Sequence, residues 1–313
     1  MIILSLRSNT HNTSLSSAVT DGNADIVLVE GAMGLYDGDE SSADLAARFN
    51  IPVVLILDVR AMAQTAAAIA VGLRNYKDDY FKANPQQAED FDMIGVIANK
   101  VGSNYHAKLV REALPEDLPL WAALKRTESV ELPERHLGLV QPSEQEEDWL
   151  ESRLESGADL LEEAGILTFI DQLEPVLFLP QQITPVCLDA LSGTTVAIAH
   201  DEAFSFTYTA NITLLEDMGA TICYFSPVHD NSIPAEATTL WLPGGYPELH
   251  AKKLSENTAM ISSLKQFHLD DKPILAECGG FLYCMDTVID LEGNAFQMAG
   301  LIHGTGTMKS KGG

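Results

Sequence analysis

The stretch Pro52 to Val59, PVVLILDV, is apolar almost without interruption. A run of this length cannot leave one face in water, so it predicts a strand covered on both sides, as in a parallel sheet flanked by helices. Its neighbours repeat the theme. Ile26 to Val29 is a short β-branched run ending at Glu30 and Gly31, and Leu45 to Phe49 follow Ser41 and Ser42, two candidate N-caps. Ala61 to Tyr76 reads as helix, Met93 to Val101 as strand, Asn104 to Leu114 as helix and Leu118 to Leu124 as strand. Ala61 to Leu73, rich in alanine, reads as a buried helix, and the polar Lys77 to Asp90 as a surface insertion. Strand and helix in alternation imply right-handed crossovers and a parallel sheet.

The alternation then stops and restarts. A polar segment around Gln141 to Asp148 precedes a helical pattern from Trp149 to Ala164, and residues 171–194 carry Pro175, Pro180 and Pro185 without periodicity, which places a domain boundary there. Beyond it, Thr195 to Ala199, Thr221 to Phe225, Thr239 to Leu242 and Pro273 to Ala276 read as strands. Thr207 to Met218 and the long region Pro247 to Leu269 read as helical, with a short helix after Gly279. The expectation is two doubly wound α/β domains, residues 1–180 and 194–313. A length of 313 residues suits two such cores.

Charge and cysteine content narrow the function. Forty-five Asp and Glu against 19 Lys and Arg give a formal charge of −26, which disfavours nucleic acid or an anionic membrane as partner. A local anion site built from backbone N–H groups is still open to such a chain. Four cysteines without C-x-x-C spacing build neither a disulfide scaffold nor a zinc site and suit a reducing cytoplasm. The opening MIILSLRSNTHNTS lacks the basic start and small-residue cleavage pattern of a signal peptide, and no apolar run is long enough to span a bilayer.

Four motifs could carry chemistry. In VLVEGAMGLYDG, Val27 to Gly38, a strand ends in Glu30, and Asp37 follows across a glycine-rich turn. Ligands in open α/β sheets sit beyond the carboxyl ends of strands. The two carboxylates could hold a hydrated Mg²⁺ or neutralise a cationic intermediate, or the loop is an ordinary solvated turn. In IANKVGS, Asn99 ends a strand; its amide suits the edge of a nucleobase, or it caps the following helix. In PILAECGGFLY, Cys278 lies between strand and helix, the arrangement of a nucleophile elbow, where a helix amino terminus favours the thiolate. A lone cysteine is commonly a small buried hydrophobe, but the strand–Cys–Gly–Gly–helix setting favours catalysis. Cys187, Cys223 and Cys284 lack that setting and read as structural. In LWLPGGYPE, Gly244 and Gly245 could offer backbone N–H groups to an oxyanion, or form a plain tight turn.

Taken in order, VLVEGAMGLYDG, DVRAMAQTAAA, GVIANKVGS, LPERHLGLV, AHDEAFSFTYTANITLLEDMGA, YFSPVHD, LPGGYPE and AECGGFLY resemble the cobyrinate a,c-diamide synthase family along nearly the whole chain. The resemblance implies a P-loop, dethiobiotin-synthetase-like domain joined to a flavodoxin-like class I glutamine amidotransferase domain. It implies that Cys278 attacks glutamine beside backbone N–H groups near Gly244, Gly245 and Gly279. It further implies that ATP activates side-chain carboxylates of a tetrapyrrole, that Glu30 and Asp37 handle Mg²⁺ and the activated intermediate, and that Asn99 and Lys100 lie near the adenine. Its substrates are small molecules, and it is compatible with a homodimer. Related amidases act on hydrogenobyrinate, nickel sirohydrochlorin or cobyric-acid precursors; the VEGAMGLYDG and LPGGYPE forms favour the a,c-diamide group. A non-catalytic binding module that keeps the fold is the competing reading.

Three departures stand out. The chain contains no G-x-x-x-x-G-K-[ST] phosphate loop, which the family carries near its start. The family's acidic–aromatic segment upstream of the Glu30 loop is missing too. After Cys278 the sole histidine is His303, in GLIHGTG, which does not look like the family's catalytic position. The expectation is a fragment clipped at both ends and inactive by itself toward ATP or glutamine. His136 in LPERHLGLV matches the family but has no evident physical role.

Overall fold

The computed structural model describes residues 2–5, 26–31, 33–38, 41–83, 91–132, 134–135, 138–139, 147–174 and 189–309. His136, Cys187, the linker prolines, most of the polar 141–148 segment and the terminal Lys-Gly-Gly lie outside the described residues. The chain divides into two compact units, one from Met1–Leu132 and Glu146–Gln182, the other from Pro133–Gln145 and Ile183–Gly313.

The first unit holds strands β1 (Ile2–Ser5), β2 (Ile26–Val29), β3 (Val53–Asp58), β4 (Met93–Val101) and β5 (Leu120–Lys125) in the order β2-β1-β3-β4-β5. β3, β4 and β5 are parallel, as expected. β1 departs from the expectation of an all-parallel sheet, since it pairs antiparallel with both β2 and β3. Running against both neighbours, β1 leaves β2 pointing the same way as β3 and β4, so Glu30, Asp58 and Asn99 end strands at one shared edge.

The helices of this unit explain themselves locally. Helix α1 (Ser42–Phe49) is opened by a capping box: Ser41 Oγ accepts from the Asp44 amide at 3.1 Å, and Asp44 Oδ2 accepts from the Ser41 amide at 2.8 Å. Asp44 also accepts from the Tyr80 hydroxyl at 2.9 Å, tying α1 to α2 (Thr65–Ala83). That second helix corrects two expectations. It starts later than Ala61 and continues through Lys77 to Ala83, so this part of the supposed insertion is helical; Tyr76, Tyr80 and Phe81 earn it their place, packing with Tyr36 and Phe91. Only one face is buried, through Ala66, Ala67 and Ala70, while Ile69 is exposed. Helix α3 (Asn104–Ala113) is capped by Ser103, whose Oγ accepts from the His106 amide, so Asn99 is not its cap. Helices α4 (Glu147–Glu163) and α5 (Leu167–Ile170) cover the opposite face of the sheet, where Phe169 stacks on Trp121 at 5.2 Å. In β3 the first three residues are covered on both faces, Val53 and Leu55 on one and Val54 on the other, but Ile56 is exposed.

The second unit has a fully parallel sheet, β11-β10-β8-β9, built from β8 (Thr195–Ala199), β9 (Thr221–Phe225), β10 (Thr239–Leu242) and β11 (Ile274–Ala276). Alternation divides its core. Ala197, Ala199, Leu240 and Leu242 face one cluster, and Val196, Ile198 and Trp241 the other, beside α6 (Thr209–Asp217). The region expected as one long helix is three pieces: a 3₁₀ turn Pro247–His250, α7 (Ala251–Glu256) and α8 (Thr258–Leu269). The break is at Asn257, whose side chain accepts from the Met260 amide at 3.2 Å and donates to the carbonyls of Pro227 and Asp230. Helix α9 (Gly279–Cys284) leads into a second sheet that the sequence reading lacked, β13-β12-β14, from β12 (Met285–Ile289), β13 (Ala295–Gln297) and β14 (Ile302–Thr307). A two-stranded ladder, β6 (Glu134–Arg135) with β7 (Gly138–Leu139), also belongs to this unit. No helix among the described residues is long and apolar enough to cross a membrane.

Candidate active site

Cys278 occupies the bend between β11 and α9 with φ 47° and ψ −108°. A side chain at positive φ costs about 1–3 kcal/mol and persists only where the surroundings hold it. Here they do so on both sides. The Glu277 amide donates to the Leu242 carbonyl at 3.0 Å and the Gly280 amide to Pro243 at 2.9 Å, so the end of β10 grips the chain before and after the cysteine. Leu282 N–H closes on the Cys278 carbonyl at 3.1 Å. Close approach dictates the glycine at 280, where a Cβ would run into the Leu242 carbonyl oxygen and lie 2.6 Å from its carbon.

The same β10 end carries the Pro-Gly-Gly loop to the thiol. A Cβ on Gly244 would stand 3.6 Å from Cys278 Cβ, and one on Gly279 would stand 3.0 Å from the Gly245 nitrogen. Gly245 is itself pressed against the Ala203 carbonyl, so no side chain fits there. Among the described residues neither the Gly245 nor the Gly279 amide donates to a protein acceptor. The structure therefore gathers Cys278, Gly244, Gly245 and Gly279 at one point, with the cysteine exposed. Exposed sulfur and undedicated amides are what nucleophilic attack on a carbonyl requires. The other described cysteines differ. Cys284 is buried, which pushes its thiol up to about 11, and burial raises Cys223 as well.

Sequence reasoning missed the scaffold around this point. Asp201 Oδ1 accepts from the amides of Ala203 and Phe204, and its Oδ2 from Ser226 Oγ at 2.8 Å and the Val228 amide at 2.9 Å. It thereby fixes the 201–206 loop against which Gly245 packs; the Phe206 amide also donates to the Gly244 carbonyl at 3.1 Å. Glu202 accepts from His229 and Lys253 at the surface; burial works against its charge, but its own backbone amide, then His229 and Lys253, bring the carboxyl below the ordinary range. Aspartate after a strand end was the available signal for the Asp201 turn. His303 is almost fully exposed and meets Asp286 at 3.3 Å.

In the first unit Glu30 and Asp37 are both exposed on the loop after β2. Asp37 turns back on Gly34, whose carbonyl accepts the Asp37 amide at 3.1 Å. Among the described residues no group of three or more His, Cys, Asp or Glu is arranged to hold a metal ion. Magnesium asks for less, since it is held by one or two carboxylates and keeps much of its water. Two exposed hard-oxygen donors fit that demand. Asn99 pairs with Asp58 across β3 and β4, and its carbonyl accepts the Val59 amide at 2.9 Å. Lys100, at φ 62°, reaches Asp58 at 3.3 Å. Asp58 was not singled out from the sequence. The Arg60 amide, joined by Lys100, lowers its carboxyl pKa. His106 also escaped notice: its Nδ1 accepts from the Gly102 amide at 3.1 Å, which leaves Nε2–H to donate to the Met62 carbonyl at 2.7 Å.

Residues 195–311 match the family described as the CobB/CobQ-like glutamine amidotransferase domain. Parallel sheet, elbow and family match together define the second unit as a class I glutamine amidotransferase domain. Beyond that domain, a hydrogenobyrinate a,c-diamide synthase of Stutzerimonas stutzeri is 40% identical over 290 residues, covering 93% of this chain and 63% of that one. A namesake from Pseudomonas aeruginosa is 40% identical over 93% of this chain and 62% of its own. A cobyrinate a,c-diamide synthase of Herminiimonas arsenicoxydans is 41% identical over 92% of this chain and 61% of its own. Along nearly its whole length the chain is similar to these a,c-diamide synthases, and it spans 61–63% of the length of those relatives.

Proposed function

We propose that this chain is part of an ATP- and glutamine-dependent ligase that amidates the a and c side-chain carboxylates of cobyrinic or hydrogenobyrinic acid in cobalamin biosynthesis, in the cytoplasm. The observation that carries the reading is the exposed Cys278 at the elbow, close beside Gly244, Gly245 and Gly279, in a chain similar throughout to diamide synthases.

Each residue then has a task. The Cys278 thiolate attacks the side-chain amide carbon of glutamine, and the C=O pair moves onto oxygen, where the Gly245 and Gly279 N–H groups meet the developing charge. Gly244 keeps the approach clear of side chains. Collapse of the adduct expels ammonia, with a proton taken up, and leaves a thioester that water cleaves to glutamate. In the first domain the substrate carboxylate is activated as an acyl phosphate, and ammonia displaces phosphate to give the amide. Glu30 and Asp37 are the residues that would hold Mg²⁺, which supplies charge neutralisation at the phosphates when bound. Asn99 and Lys100 border the adenine in this reading. A phosphate loop of the G-x-x-x-x-G-K-[ST] type is not among the 313 residues, so no residue here is assigned to the triphosphate.

The test is ammonia release from glutamine and ATP-dependent mass change of cobyrinic and hydrogenobyrinic acid, measured on the full-length protein and its Cys278→Ala variant. The variant is expected to lose glutamine-supported amidation while keeping amidation from added ammonium salt. Equal glutaminase activity in both proteins would remove the nucleophile and the reading with it.

A further inference from the structure

One residue on either side of the elbow does something the backbone cannot. Trp241 Nε1–H donates to Glu277 Oε2 at 2.9 Å, joining the side chain just before Cys278 to the strand that carries the Pro-Gly-Gly loop. Among the described residues the other hydrogen bonds at this bend are made by main chain: Glu277 to Leu242, Gly280 to Pro243 and to Glu277, Leu282 to Cys278. Trp241 is an immobile anchor, only 6% exposed, packed with Val196 and Ile198 on one face of the sheet. Glu277 by contrast is exposed, and without the indole nothing else among the described residues holds its carboxylate.

We infer that Trp241 and Glu277 are positioning residues, a side-chain latch that keeps Cys278 at positive φ with its sulfur presented to the Gly244–Gly245 loop. The inference rests on Cys278 being the nucleophile, but what it asserts is the hold on the elbow. A cysteine at φ 47° relaxes toward ordinary backbone unless both flanks are fixed. The backbone bonds fix the helix side twice, through the Gly280 and Leu282 amides. On the strand side the β10–β11 ladder runs out at the Glu277 amide, the last main-chain bond to β10 before the cysteine, and Trp241 reinforces the chain at that same residue.

The test reads sulfur presentation directly and needs no glutamine site. The rate of alkylation of Cys278 by iodoacetamide is followed by mass spectrometry of its peptide, with the buried Cys284 as an internal reporter of unfolding. Trp241→Phe keeps an apolar ring without the N–H, Glu277→Ala removes the acceptor, and Glu277→Gln keeps an acceptor without the charge. The first two are expected to slow alkylation roughly five- to tenfold, the weight of one ordinary intramolecular hydrogen bond. Glu277→Gln should restore most of the rate, and the Trp241→Phe, Glu277→Ala double variant should be no slower than either single one, as for partners in one bond. Unchanged rates in both single variants overturn the latch, as does additivity in the double. Labelling of Cys284 in Trp241→Phe but not in Glu277→Ala also overturns it, since the indole would then act through packing alone. Loss of glutamine hydrolysis in the parent protein would instead count against the proposed function and leave these rates as they are.

Discussion

Replacing Cys278 with glycine should make the protein more stable, and the amount follows from one torsion angle. At φ 47° and ψ −108° a side chain stores about 1–3 kcal/mol of strain that glycine does not feel. Glycine brings its own cost, about 0.5–1 kcal/mol, because the unfolded chain gains freedom at that position. The sulfur is exposed, so its removal forfeits little burial. The balance favours Cys278→Gly by up to about 2.5 kcal/mol, or a melting shift of up to about 10 °C at roughly 4 °C per kcal/mol for a domain of this size. The control is Cys278→Ala, which loses the same sulfur and keeps the strain, so the difference between the two variants isolates the torsion. Calorimetric melting of the three proteins is the assay. A glycine variant that melts at or below the alanine variant would show that the bend is unstrained, and the case for a chain held in place to present a nucleophile would lose its energetic basis.

How far the sequence reaches depends on what kind of force shapes each segment. β4, β8, β9 and β10 carry the bounds read from the sequence, because each is a β-branched or aromatic run closed by polar or turn residues. Cys278 and its glycines were legible for a similar reason: Gly-Gly after a cysteine at a strand end leaves few other conformations. The helix through Lys77 was not, since its support comes from Tyr36 and Phe91, residues distant in sequence that no local period reveals. The β12–β14 sheet was hidden because much of it is polar or glycine and only half-buried or exposed: Asp286 and Thr287 in one strand, His303, Gly304 and Thr305 in another. The long helical region concealed its break because Asn257 reads as an ordinary surface residue until its amide is seen bridging Pro227 and Asp230. Asp58, Asp201 and the Trp241–Glu277 pair are joined by partners whose proximity exists only after folding.

Two further outcomes follow from the same coordinates. Ser41→Ala should cost about 1–2 kcal/mol in a denaturant titration, because Ser41 is 1% exposed and loss of its hydroxyl strands the Asp44 amide and takes one of the donors from the Asp44 carboxylate; an unchanged midpoint would mean that helix α1 does not depend on its cap. Stability should also fall in alkali. Burial holds the Cys284 thiol up to about 11 in the folded protein, while the unfolded chain releases that proton near its ordinary value of about 8.5. A raised folded pKa contributes stability that is complete below the unfolded value and is lost as pH climbs through the folded one. Between about pH 8.5 and 11 the loss from this one thiol reaches on the order of 2–3 kcal/mol. Unfolding free energies measured across that window should therefore slope downward. Cys284→Ala, less stable at neutral pH for the cavity it leaves, should slope less steeply, and parallel curves for the two proteins would mean that the thiol ionises in the folded state as readily as in water.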